Sequence, residues 1–155
     1  MYAAKKELLH SHSSSVVFGG SALDLAGRVV HPEYQRQGLA SRLLLELVQD
    51  RQPDYLITYT RSPAILRMMK KVSEDVYPID QNDELLSLAT SVQYASEYDG
   101  NSYHIDRYDE GGLFGSEDPA DSTADDSDVS LKDQFTGLQN IRSALIVVSR
   151  VKKGL

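Results

Sequence analysis

The stretch Val29-Val30-His31-Pro32-Glu33-Tyr34-Gln35-Arg36-Gln37-Gly38-Leu39-Ala40 decides the fold. Val29 and Val30 close an apolar run over residues 23–30, short enough to be a buried strand. Pro32 ends it, because proline cannot donate to a ladder. Gly38 then opens the most regular helical pattern of the chain, residues 38–50. Leu39, Leu43, Leu44, Leu47 and Val48 recur there at helical spacing, and Arg42 and Glu46 form an i,i+4 pair on another face. A strand, a short polar loop and a glycine at a helix start present unpaired backbone N–H groups and a positive dipole end to an anion. Gly38 lets the backbone approach a ligand closely, Ala40 leaves room beside it, and Arg36 adds a cation. A pyrophosphate suits such a cradle.

Working outward, Pro53 ends the helix and residues 55–60 (Tyr-Leu-Ile-Thr-Tyr-Thr) have strand composition. Ser62-Pro63 reads as an N-cap with proline at the first helical position. The helix it opens carries Ile65, Leu66, Met68, Met69 and Val72, with Lys70 and Lys71 where they suit the dipole. Strand, helix, strand, helix predicts an α/β layer with a right-handed crossover. A further amphipathic helix is expected over 82–98, on Leu85, Leu88, Ala89, Val92 and Ala95, with Gly100 as its stop. Short strands are expected near residues 16–18 and over 103–107, with a glycine turn at Gly111, Gly112 and Gly115. The apolar run 143–151 reads as a closing strand inside the sheet.

Length and composition bound the rest. At roughly 100–200 residues per domain, a chain of 155 residues is one domain. The organisation expected is a flexible lead-in over 1–22 and a folded domain over 23–155. Residues 116–129, which interleave Glu117, Asp118, Asp121, Asp125, Asp126 and Asp128 with Ser, Thr and Ala, are expected to form a disordered acidic loop. The chain has no cysteine, which removes disulfides, thiolate metal sites and cysteine nucleophiles. A net charge of −7 opposes binding to nucleic acid and to anionic membranes. No apolar run approaches the ~20 residues needed to span a bilayer, and the N-terminus shows no signal-peptide core. The expected location is the cytoplasm. The histidines show no metal-ligand spacing, and no metal is expected.

The quoted stretch resembles the GNAT-type N-acetyltransferases. Their acetyl-CoA loop reads Gln/Arg-x-x-Gly-x-Gly/Ala after a strand ending in Val-x-Pro; this chain has Gln35-x-x-Gly38-x-Ala40 after Val30-His31-Pro32. The likeness covers about residues 22–80. It implies a mixed sheet whose two central parallel strands splay apart, flanked by helices. It implies acetyl-CoA as co-substrate, with pantetheine along Val29 and Val30 and pyrophosphate on the N–H groups of Gln35, Arg36, Gln37, Gly38, Leu39 and Ala40. Thr60 and Arg61 would line the other side of the gap.

The chain departs from the family in two respects. Only about 22 residues precede the Val-x-Pro strand, where the family has further strands and helices, so the resemblance leads to the expectation that the N-terminal portion is reduced or missing. Uncovered by those elements, the first strand is expected to recruit a second copy, giving a homodimer or an aggregation-prone monomer. The family's Asn-x-x-Ala-x-x-x-Tyr on the second helix is also replaced by Arg61, Ala64 and Met68, which removes the usual general acid. Met68 and its neighbours read as core fillers.

Asp24 is the candidate catalytic base, since it is the carboxylate on the Val-x-Pro strand; the bland alternative is a solvated acid at a strand start. It lies at an even offset from Val30, so a regular strand points both to one face. The expected activity is transfer of acetyl from acetyl-CoA to a small-molecule or peptide amine by direct attack. The alternative is a non-catalytic CoA-binding or protein-interaction module on a degenerate fold of the same kind.

Overall fold

The computed structural model describes residues 14–17, 20–25, 37–92, 97–99, 102–106, 131, 133–135 and 143–155. Seven strands form one mixed sheet: β1 (Ser14–Val17), β2 (Gly20–Asp24), β3 (Tyr55–Thr60), β4 (Ser73–Tyr77), β5 (Glu97–Asp99), β6 (Ser102–Asp106) and β7 (Ser143–Val151). Three α-helices are described, α1 (Leu39–Arg51), α2 (Pro63–Val72) and α3 (Asp83–Ser91), with a single 3-10 turn at Asp133–Phe135. The class is therefore α/β, as the alternation of strand and helix patterns predicts.

The sheet runs β1-β2-β3-β7-β6-β5. β2 and β3 are parallel, with Ala22 opposite Tyr55, Leu23 opposite Leu56 and Asp24 opposite Ile57. β7 lies antiparallel to β3 along its whole length, from Thr60 opposite Leu145 to Tyr55 opposite Arg150. Its other side is shared: β6 takes residues 143–145 and β4 takes the C-terminal part. β7 is thus interior, and Ala144 through Ser149 are all buried, which explains its unbroken apolar run.

Alternation along the strands sends side chains to two cores. Leu23, Leu25, Leu56, Leu145, Val147 and Val151 pack under α1 and α2, against Leu44, Leu47, Val48, Leu66, Met68 and Met69. Ala22, Tyr55, Ile146 and Val148 pack with Tyr77 and with Leu85, Leu88 and Ala89 of α3 on the opposite face. Leu44, wholly buried, anchors α1 at the centre of the first core; truncating such a leucine costs about 2–5 kcal/mol.

Several expectations need correcting. The lead-in over 1–22 is in part sheet, because Ser14–Val17 pairs antiparallel with residues 20–23. The strand expected over 23–30 starts earlier, at Gly20, and is described as far as Asp24, with Leu25 still donating its N–H to Ile57 O at 2.8 Å; residues 26–30 lie outside the described residues. The helix expected over 82–98 stops at Ser91, and Glu97–Asp99 is instead a strand paired with β6. β4 follows α2 with no intervening loop, because Val76 and Tyr77 gain partners on β7. Residues 26–36, Gly100, the glycine turn and residues 116–129 lie outside the described residues.

Candidate functional site

The parallel pair β2/β3 has two edges, and their chemistry differs. α1 connects the two strands, so it runs back across the sheet and its N-terminus meets their C-terminal edge. α2 begins directly after β3, so its N-terminus opens at the same edge. In open α/β sheets, ligands bind at this edge, outside the carboxyl ends of parallel strands.

Gly38 is the N-cap of α1, at φ 71° and ψ 8°, in the left-handed region glycine adopts without cost. Its carbonyl accepts the first helical bond from Arg42 N–H at 3.0 Å. It is exposed, and a Cβ built there meets nothing within 4 Å. Glycine offers no side chain to cap the helix, and the first turn holds no acid. By helix geometry the first N–H groups of α1 have no acceptor within the helix itself. Gln37 is exposed beside them; Leu39 and Ala40 are half-buried and start the packed face.

Thr60 and Arg61 are both buried, at 6% and 7% exposure. Thr60 Oγ1 accepts from Ser62 N–H at 3.0 Å, and Arg61 is engaged within the protein. Ser62 does cap α2 in position, yet its side chain makes no capping bond. Met68 is buried at the first core, where no phenol stands. Asp24 ends β2 half-buried and engaged within the protein, opposite Ile57. Val29, Val30, Gln35 and Arg36 lie outside the described residues. The structure therefore brings Gln37, Gly38, Leu39, Ala40, Thr60, Arg61 and Asp24 to one edge of the parallel pair. Among the described residues no cluster of three metal-ligating side chains occurs, and no helix is long and apolar enough to cross a membrane.

The N-terminal edge is closed by charged groups that satisfy one another. Asp54 Oδ2 accepts from Ser21 N–H at 2.8 Å and from Ser21 Oγ at 3.1 Å. The bond from the Ser21 N–H, which favours the ionised form, holds the Asp54 carboxyl below the usual carboxylate range. Tyr55 donates its phenol proton to Glu84, and the other oxygen of Glu84 accepts from Arg150. The hydrogen bond to Glu84 pushes the Tyr55 phenol up. Lys152 donates to Lys71 O at 3.1 Å, and Lys153 contributes to holding Asp54 ionised. Asn82 caps α3 at this end, accepting from Glu84 N–H at 3.0 Å and Leu85 N–H at 3.2 Å. Asp54, Tyr55, Glu84, Arg150, Lys152 and Lys153 line an open depression of about 600 Å³. Arg150 and Lys152 already have carboxylate or carbonyl partners, so the edge reads as a latch on the sheet.

The latch was not foreseen from sequence. Its partners are 29 to 81 residues apart, as Tyr55–Glu84 and Lys152–Lys71 show, and no local pattern marks them. Comparison with family models, with curated proteins and with solved structures returned no match for this chain.

Proposed function

We propose that the chain is an acetyl-CoA-dependent N-acetyltransferase acting on an amine. The observation that carries the reading is the N-terminus of α1. It is opened by a left-handed glycine, lacks a side-chain cap and an acid in its first turn, and stands at the C-terminal edge of a parallel strand pair. These features suit an anionic phosphate group: N–H donors are offered and the first turn of α1 holds no carboxylate. The family resemblance of Gln35-x-x-Gly38-x-Ala40 supplies the rest.

In this reading, N–H groups of residues 35–40 hold the pyrophosphate of the co-substrate. Backbone groups of Val29 and Val30 hold its pantetheine arm, and Thr60 and Arg61 form the opposite wall. Asp24 takes the proton from the acceptor's ammonium. The freed nitrogen lone pair attacks the thioester carbonyl carbon, a C–N bond forms, the C–S bond breaks, and the proton that the new amide nitrogen sheds passes through water to the departing CoA thiolate. Positioning and proton removal are the chain's contributions.

Release of free thiol from acetyl-CoA, followed over a panel of amines, tests the proposal. Amine-dependent thiol release supports it. Binding of CoA without release assigns the chain to the non-catalytic alternative, for which buried Met68 in the usual tyrosine position is the favouring observation.

A further inference from the structure

A ridge of lysines borders the latch, and no carboxylate is paired with it. Lys70 and Lys71 stand in the last turn of α2, and Lys152 and Lys153 follow β7; all four are exposed. Hydrogen bonds bring the two pairs together. Lys152 N–H donates to Val72 O at 3.0 Å, and its ammonium donates to Lys71 O at 3.1 Å. Val151 N–H donates to Asp54 O at 2.9 Å, which ties the start of Lys152-Lys153 to the start of β3. Lys152 is thus the brace of the ridge, and Lys70, Lys71 and Lys153 are its outward charges. Lys153 meets Asp54 only through space, and Asp54 is already bonded to Ser21. Glu84 is committed to Tyr55 and Arg150, and Asp75 to Asn82, so exposed Glu74 is the acid left on that side. Among the described residues no lysine of the ridge forms an ion pair.

The end of α2 explains only part of this. A helix C-terminus carries roughly half a negative charge, and the Lys152 ammonium already sits on its carbonyl. The further ammoniums repel one another, in a chain where 23 acids face 16 lysines and arginines. The ridge also adjoins the open depression, whose walls include Val48, Pro53, Val151 and Leu155. Leu155 is the large apolar side chain left exposed among the described residues. Ammoniums beside a hollow with apolar walls match a peptide in which acidic residues flank an apolar side chain. Nucleic acid matches less well. Its phosphates offer nothing to an apolar wall, and a long polyanion runs past the ridge onto the acidic remainder of the chain. At physiological salt charges act over ~8 Å, so a short segment feels the ridge and little else.

We propose that Lys70, Lys71 and Lys153, braced by Lys152, dock an acidic segment of a partner protein whose apolar side chain enters the neighbouring depression. The inference does not rest on the acyl-transfer reading.

The test titrates the full chain into a fluorescent peptide of Asp and Glu around one central leucine, read by anisotropy at about 0.1 M salt. Three comparison probes carry Asn and Gln for the acids, serine for the leucine, or an oligothymidylate of equal charge. The acidic peptide should bind at least about tenfold more tightly than its neutral counterpart, and more tightly than the oligothymidylate. Serine for leucine should weaken it by about threefold. Lys70→Gln, Lys71→Gln and Lys153→Gln combined in one chain keep the Lys152 bonds, so the fold survives and affinity for the acidic peptide should drop about tenfold. Arg42→Gln, which removes an exposed cation near the other end of α1, should change nothing. Equal affinity for the acidic and neutral peptides, or no binding by the parent chain, overturns the proposal. So does an equal loss in Arg42→Gln. Tighter binding of the oligothymidylate gives the ridge to nucleic acid, and self-association that the triple variant abolishes gives it to a second copy; either result overturns the proposal too. Unchanged affinity of the serine peptide removes the depression from the site.

Discussion

The two edges of the β2/β3 pair are built from similar materials and end in opposite conditions. At the N-terminal edge most of the charged groups named above are paired: Asp54 with Ser21, Glu84 with Tyr55 and Arg150, Lys152 with the Lys71 carbonyl. The helix that starts there, α3, is capped by Asn82 and carries Asp83 and Glu84 in its first turn. At the C-terminal edge α1 and α2 both start without a side-chain cap and without an acid. Helix starts left in that condition keep their N–H groups and dipole available for an outside anion. Charge that is spent inside the protein stabilises the fold; donors left unspent at a strand edge offer binding.

The largest effect that would sharpen this contrast lies at the open edge. Asp24→Asn should lower amine-dependent turnover on the order of a hundredfold while CoA affinity holds, and the pH–rate profile should lose its acidic limb. Steady-state kinetics across pH checks it; normal turnover in the variant removes Asp24 as the base.

At the closed edge the expected losses are in stability. Gly20 has Tyr55 Cε2 at 2.9 Å and Asp54 Oδ2 at 3.2 Å from where a Cβ would stand. Gly20→Ala should therefore cost about 1–3 kcal/mol in urea unfolding by overpacking. Glu84→Ala should cost about 1 kcal/mol, since it strips the Tyr55 hydroxyl of its acceptor. Neither substitution should change CoA affinity, and a change in either would blur the distinction between the edges.

The smallest effect is in pH dependence, and its sign differs for the two titrating groups. The Asp54 carboxyl is depressed in the folded chain, so its contribution is present above its ordinary value of 3.8 and fades as pH falls below it. The Tyr55 phenol is raised, so its contribution is present below its ordinary value of 10.0 and is lost as pH climbs through the folded value. Thermal melts from pH 3 to 11 should show both flanks, with Asp54→Asn flattening the acidic one and Tyr55→Phe the alkaline one.

Much of the open edge was legible in sequence, because its signals are local. The polar loop, Gly38 and the leucine repeat after it specify where α1 starts, and residues 55–60 and 143–151 have strand composition that the sheet realises over the same bounds. Ser62-Pro63 marks the start of α2, although its hydroxyl does not cap. The closed edge was not legible, since Ser21–Asp54 and Glu84–Arg150 are joined by the sheet rather than by spacing. β4 escaped notice because Glu74 and Asp75 weaken its strand composition and no breaker separates it from α2; pairing with β7 supplies what propensity lacks. Glu97–Asp99 continues a helical stripe in sequence, yet its backbone pairs with β6, so tertiary pairing overrides local preference.

The most direct test of the account is a calorimetric titration of CoA into the parent chain, Gly38→Val and Glu84→Ala. A Cβ at Gly38 meets no protein atom within 4 Å, so valine there strains only the left-handed backbone, about 1–2 kcal/mol, and the fold should survive. The account predicts CoA binding by the parent and by Glu84→Ala, and its loss in a folded Gly38→Val. Equal CoA affinity in Gly38→Val and the parent, or no binding by the parent, would contradict it.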